Sequence, residues 1–171
     1  MTSEDFIIRE ITSADNSQMA VVIRDVIVEM GAPKVGTAYA DAATDKMFET
    51  YQKEKAIYYV VEHKNKIVGG AGIAKLDNFE GNTCELQKMY FLPTIRGVGL
   101  GTKLITKCLE KAKDFGFENC YLETLPYMEA AVKLYKRNGF VNLEKPLGNT
   151  SHFNCDAVSY THLTLPTIYA V

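Results

Sequence analysis

Neither sign of charge is in excess in this chain. Its 19 Lys and Arg are set against 21 Asp and Glu, a formal net charge of −2 at pH 7, and no stretch gathers basic residues into a cluster. That argues against nucleic-acid and membrane-surface partners, which need a positive footprint. No apolar run is long enough to span a bilayer. The opening MTSEDFIIRE resembles neither a secretion signal nor a transit peptide, so a cytoplasmic protein is expected. The four cysteines, Cys84, Cys108, Cys120 and Cys155, lack paired spacing and fall inside predicted strands and helices, as buried reduced thiols do. No Cys/His spacing suits a metal, and no Ser-His-Asp order or nucleophile elbow suits hydrolysis. Internal repeats and low-complexity tracts are also absent. What is left is an ordinary globular composition, 47% hydrophobic and 23% charged over 171 residues, suited to one domain with a substantial core.

What is present centres on Cys84 to Phe115, CELQKMYFLPTIRGVGLGTKLITKCLEKAKDF. The pattern predicts a strand, a Gly-rich turn and a helix. Glu85 to Leu92 is a run of long, aromatic and apolar residues, closed by Pro93, which cannot donate to a ladder. After Arg96-Gly97-Val98-Gly99-Leu100-Gly101 come Leu100, Leu104, Ile105, Cys108, Leu109, Ala112 and Phe115 on one helical stripe, with Gly116 as the stop. A glycine-rich turn that opens a helix suits an anion. The first helical N–H groups lack intrahelical partners, the helix dipole adds partial positive charge, and glycine lets the backbone approach phosphate oxygens. Arg96 adds a cation at the mouth. The P-loop pattern fails, because Gly101 is followed by Thr102-Lys103 in the wrong order. The dinucleotide pattern fits Gly97 and Gly99 but meets Thr102 at its third glycine.

Around this stretch the chain reads as strands first and then as alternating elements. Phe6 to Ile11 is a short strand. Thr12-x-x-Asp15 resembles an N-terminal cap, and Met19, Val22, Ile23, Val26, Ile27 and Met30 stripe the helix behind it. A polar connection leads to a short helix from about Thr44 to Lys53. Ala56 to Glu62 and Ile67 to Leu76 form a hairpin about His63-Lys64-Asn65-Lys66. The Gly69-Gly70-Ala71-Gly72 run predicts close approach by another backbone or a ligand. Asn119 to Leu125 is a strand broken by Pro126, Tyr127 to Arg137 a helix, and Phe140 to Leu143 a strand. This order predicts an α/β (α+β) domain with a mixed, mostly antiparallel sheet and helices on both faces, in three layers.

Two motifs carry a family resemblance. R-x-x-G-x-G directly after a strand, here Arg96, Gly99 and Gly101, resembles the acetyl-CoA pyrophosphate loop of the GNAT N-acetyltransferase superfamily. A-x-x-L-Y-x-x-x-G-F, here Ala131, Leu134, Tyr135, Gly139 and Phe140, resembles a second motif of that family in the expected order. The resemblance covers about Phe6 to Asp156 and implies an acetyl-CoA-dependent N-acetyltransferase without a metal, acting on a primary amine of a small molecule. It implies that Arg96, Gly97, Val98, Gly99, Leu100, Gly101 and Thr102 hold the pyrophosphate. Main-chain groups of Met89, Tyr90 and Phe91 would pair with pantetheine and stabilise the oxyanion. Tyr135 matches the tyrosine that protonates the departing thiolate, a task suited to a phenol that is neutral at pH 7.

The same resemblance offers Glu85, eleven residues before Arg96, as a general base, since relatives of the histone-acetylating kind carry a glutamate at that spacing. Glu123 beside Thr124 competes for the role, and His152 reads as a turn residue. Tyr39 and Asp41 are substrate-side candidates because the first-helix region often lines the acceptor pocket in relatives. Where the family often has Asn before the conserved Ala, this chain has Met128. A homodimer is compatible with the sequence. A non-catalytic acyl-CoA-binding or sensor domain is the alternative, and a nucleotide-binding fold a more distant one. Val158 to Thr167, VSYTHLTLPT, resembles a transposon-type sequencing adaptor read in frame. The domain is therefore expected to span 1–157, with 158–171 a non-native tail and His162 without functional weight.

Overall fold

Consecutive strands in the first half of the chain pair with one another. The computed structural model describes residues 5–124, 128–143 and 145–148 and, for the backbone alone, 158–162. Strands β1 (Ile7–Glu10), β2 (Ile57–His63), β3 (Lys66–Lys75) and β4 (Thr83–Phe91) form an antiparallel meander. The β2–β3 hairpin turns on Lys64 and Asn65, both with left-handed φ (49° and 62°), the twist a two-residue hairpin needs. Helix α3 (Leu100–Asp114) then crosses to β5 (Asn119–Thr124), which pairs parallel to β4. Helix α4 (Glu129–Arg137), β6 (Phe140–Asn142) and β7 (Val158–His162) follow, and the sheet order is β1-β2-β3-β4-β5-β7-β6. Among the described residues no helix is long and apolar enough to cross a membrane.

Strand alternation divides the core into two layers of side chains. Tyr58 and Val60 of β2 point to helices α1 (Asn16–Glu29) and α2 (Met47–Thr50), and meet Met19, Ile23, Ile27 and Met47. Ile57, Tyr59 and Val61 point the other way, to Leu104, Ile105 and Cys108 of α3 and Tyr135 of α4. The sheet is thus mixed, mostly antiparallel and covered on both faces, as the element order predicts. The α3 stripe is buried from Leu100 to Ala112, each large aliphatic side chain contributing about 1.5–3 kcal/mol by leaving water.

Thr12 and Asp15 form the expected cap, Thr12 N donating to Asp15 Oδ2 at 2.7 Å. The Arg9 guanidinium bonds both carboxylate oxygens and holds Asp15 below its ordinary carboxylate range. The helix expected over Thr44–Lys53 is shorter. A 3-10 turn, Ala42–Lys46, leads into the single α turn of α2, and Asp41 caps it by accepting from Ala43 N at 2.9 Å. The predicted helix start at Tyr127 and the break at Pro126 lie outside the described residues, as do Cys155 and His152.

The glycine run in β3 has the close backbone approach expected of it, with Tyr90 O, Tyr59 O and Ile57 O 2.6–2.8 Å from where Cβ atoms of Gly69, Gly70 and Gly72 would stand, and aromatic rings crowd the same positions. A Cβ on Gly69 would stand 2.5 Å from the Phe91 ring, one on Gly70 2.7 Å from Tyr58, and one on Gly72 2.6 Å from Tyr58 and 3.0 Å from Tyr51. These glycines make room for the backbone of the paired strands and for the rings of Phe91, Tyr58 and Tyr51. The last strand, Val158–His162, falls within the segment expected to be a non-native tail and pairs with β5 and β6. Val, Tyr and Thr in that segment favour extended backbone.

Candidate active site

Two irregularities of β4 shape the site. Its parallel ladder to β5 is short, Thr83↔Asn119, Cys84↔Cys120 and Glu85↔Tyr121, and β4 runs on to Phe91 beyond it. On the other side the register to β3 shifts between Gly72↔Gln87 and Gly70↔Tyr90. Lys88 sits at the resulting bulge with φ 47°, and its carbonyl accepts from Tyr58 Oη at 2.6 Å. A bulge places two successive side chains on one face. Gln87 and Lys88 accordingly both bond to the α1–α2 side, to Tyr51 and Asp41.

The strand separation leads into a trough of about 410 Å³, lined by Met89, Tyr90 and Phe91 of β4, Gly97, Gly99, Leu100, Gly101 and Thr102 of the loop, and α4 residues that include Leu134 and Tyr135. Gly97 and Gly99 have φ of +80° and +83°, and a Cβ on either would meet nothing within 4 Å. Gly99 is the N-cap of α3 and supplies no side-chain cap, so the first-turn N–H groups are left for another acceptor. Gly101 has a packing reason as well, because a Cβ there would press to 2.7 Å on Leu134. Val98 does not line the trough and packs on the core instead.

Arg96 lines the trough, and its guanidinium is held by protein partners. Its Nε and Nη2 donate to Phe91 O at 3.0 and 2.8 Å, and the guanidinium pairs with Glu29 of α1 at 2.9 Å. The loop, the end of β4 and the end of α1 are joined through this one side chain. Exposed Arg137 of α4 lines the same trough.

A smaller cavity of about 70 Å³ adjoins it and shares Met89, Tyr90, Met128 and Tyr135 as lining. Glu85, Gln87, Lys88, Glu123 and Thr124 line this second space. Tyr135 is 7% exposed, and burial pushes its phenol up to about 12, so it keeps its proton at neutral pH. Glu85 is 6% exposed. Burial drives its carboxyl up to about 7 against the hydrogen bond from Gln87, and neighbouring Glu123 adds to the rise. Such a carboxyl is poised to accept a proton near neutrality. Glu123 accepts from Tyr121 Oη at 2.6 Å. Thr124 is buried, its Oγ1 3.8 Å from Met128 Sδ, and Met128 stands where the two spaces meet.

Tyr39 and Asp41 line neither space. The Tyr39 ring lies against Lys34 and Arg24, with centroid distances of 4.9 and 5.8 Å. Asp41 reaches the site through Lys88, whose side chain is 8% exposed and whose Nζ lies 3.1 Å from Asp41 Oδ2. Gln87 and Lys88 are the residues that sequence reasoning missed. Their nearness to Glu85 was a usable signal, but the bulge that turns both to one side had none.

A trough that suits an extended, anion-headed carrier, and that adjoins at a buried phenol a smaller space holding a buried carboxyl, has the form of a group-transfer site. Comparison with known proteins gives the class its name. Residues 27–140 match the acetyltransferase (GNAT) family model. The chain is 42% identical over 151 residues, 88% of its length and 90% of the relative's, to the uncharacterised N-acetyltransferase YjgM of Escherichia coli (strain K12). Its fold is similar to that of a GNAT-family acetyltransferase from Staphylococcus aureus Mu50 (TM-score 0.77, 22% identity, 94% of this chain and 99% of that one). It is also similar to spermidine N-acetyltransferase from Vibrio cholerae in complex with CoA and spermine (TM-score 0.68, 18% identity, 96% and 98% covered). The chain belongs to the GNAT acetyltransferase family and is an N-acetyltransferase.

Proposed function

We propose that this enzyme acetylates a primary amine of a small molecule by direct attack, with Glu85 as general base and Tyr135 as general acid. One observation carries the reading: the trough and the smaller cavity meet at Tyr135, and Glu85 lies in the smaller one. Acetyl-CoA, when bound, supplies an acetyl group activated as a thioester. The residues present fit it, because Gly97 and Gly99 hold the loop at positive φ with open space beside them and the start of α3 offers N–H groups to phosphate. Met89, Tyr90 and Phe91 line the same trough.

The roles of the two titrating groups follow from their protonation. An amine arrives at neutral pH as ammonium and must lose a proton before it can attack. Glu85, with its carboxyl raised to about 7, accepts that proton best once pH passes that value. Tyr135 still holds its own proton there and donates it toward the sulfur that leaves. Glu123, with Thr124 beside it, adds negative character to the acceptor cavity and favours a cationic substrate. The V. cholerae neighbour, solved with spermine, makes polyamines and amino acids the first acceptors to try.

The test is thiol release over an amine panel, with Glu85→Gln beside the unaltered protein. Loss of at least about 100-fold in kcat/KM, with disappearance of the rise in activity near pH 7, is expected of a lost general base. Full activity with an unchanged pH profile would remove Glu85 from the mechanism. We read the natural domain as residues 1–157 and the tail 158–171, which includes the segment that forms β7, as adaptor-derived. Amplifying the locus from source DNA checks this, and a genomic read through Val158 without adaptor sequence overturns it.

A further inference from the structure

β4 brings more to the acceptor cavity than the carboxyl assigned above. Gln87 lies two residues beyond Glu85 and lines the same space. Its Nε2 donates to Glu85 Oε2 at 3.1 Å, and its Oε1 accepts from Tyr51 Oη at 2.7 Å. Tyr51, at the end of α2, is 3% exposed, and its ring lies 5.1 Å from that of Tyr58, the residue that holds the bulge carbonyl. An amide side chain can present either end to a neighbour. Here a phenol O–H donated to Oε1 leaves the N–H end for the carboxylate, whereas the reversed amide would set oxygen against oxygen. Tyr51 thereby selects which end of Gln87 meets Glu85.

Resting on the assignment of Glu85 as the base, we propose that Gln87, oriented by Tyr51, is a positioning residue for acetyl transfer: it fixes the Glu85 carboxylate in the acceptor cavity and favours its charged form. A donor to the charged form of a carboxyl opposes the effect of burial. Other groups act on Glu85 as well. Glu123 from β5 and Asp77 after β3 disfavour its charge, and Lys88 of β4 favours it. Tyr51 from α2 is held neutral, because burial raises its phenol well above the ordinary value. The lining from α1 and the segment after it, Ile27, Ala32 and Thr37, is uncharged, as is Met128 before α4. Among these groups Gln87 is the one that touches the carboxylate, so its removal should be felt most.

The experiment is an NMR titration of the full chain carrying ¹³C-labelled glutamate, with the Glu85 signal assigned by its loss in Glu85→Gln. Gln87→Met should move the Glu85 midpoint upward by about one pH unit, the size expected for one lost charge-assisted hydrogen bond. Tyr51→Phe, which keeps the ring and removes the O–H, should move it less and in the same direction. With whichever panel amine releases thiol, kcat/KM of Gln87→Met should fall about tenfold below the midpoint and converge on the unaltered protein at high pH. A depression equal at all pH values would mark a structural role and overturn the proposal. So would Glu85 midpoints that stay in place in both folded variants. Midpoints that move while Glu85→Gln keeps full activity would locate the failure in the choice of base, not in the coupling, and the positioning role would fall with it.

Discussion

The trough and the acceptor cavity differ in how they are made. At its glycine loop the trough depends on backbone. Its loop is contiguous in sequence, its conformation is set by Gly97 and Gly99 at positive φ, and its electrostatics come from the first turn of α3. The acceptor cavity is built from side chains of β4, β5, α1 and the segment before α4, and its charges are set by a bulge and a chain of hydrogen bonds. A backbone site tolerates changes of side chain but not of glycine, whereas a side-chain site can change its preference one residue at a time.

The largest effect that would sharpen this contrast is Gly99→Glu. Isothermal calorimetry with acetyl-CoA should show affinity reduced at least about 100-fold, from a like charge placed where phosphate would sit plus about 1–2 kcal/mol of left-handed backbone strain. Gly99→Ala carries the strain alone and should lose about tenfold or less. Equal losses from the two would show that charge is irrelevant at the loop. Tyr135→Phe comes next. It should lower kcat by about 10- to 100-fold while leaving acetyl-CoA affinity unchanged, and activity identical to the unaltered protein would favour an acyl-CoA-binding role without acid catalysis.

Gly72→Ala should act on neither cavity. Its Cβ would come within 2.6 Å of Ile57 O and of the Tyr58 ring, an overpacking cost of about 1–3 kcal/mol readable as a lower urea midpoint with an unchanged slope. A weaker affinity for acetyl-CoA with unaltered stability would instead make the glycine run part of the site. The smallest effect is expected from Glu29→Gln. The Arg96–Glu29 pair is partly exposed on both sides and worth at most about 1 kcal/mol. Releasing Arg96 should tighten acetyl-CoA about two- to fivefold at low salt, and weaker binding would show that Glu29 supports the loop instead of competing for it.

Legibility in the sequence follows the same contrast. Periodicity located α1 and α3 because each buries one stripe, and the two motifs located the loop and Tyr135 because local spacing carries them. The order of strands was enough for the sheet. Local pattern could not show that Arg96 is already engaged by Glu29, 67 residues away in sequence, or that the β3 glycines face aromatic rings. Nor could it show that Tyr39 lies outside both cavities. Glu85 was legible as a candidate only through family spacing. Its burial, and Gln87 against it, depend on α1 and Tyr51 packing on β4, a tertiary event with no local signature.

The bulge at Lys88 divides β4 into two reading frames. Pairing is regular before it, at Gly72↔Gln87, and after it, at Gly70↔Tyr90, so the extra residue is absorbed without disturbing either segment. Mutations at Gln87 and Lys88 can therefore rewrite the wall of the acceptor cavity while Met89 to Phe91 keep their alignment along the trough. If the smaller cavity takes the acceptor, as proposed, Lys88 gives a lineage, or an engineer, a place to alter acceptor choice without moving Met89 to Phe91.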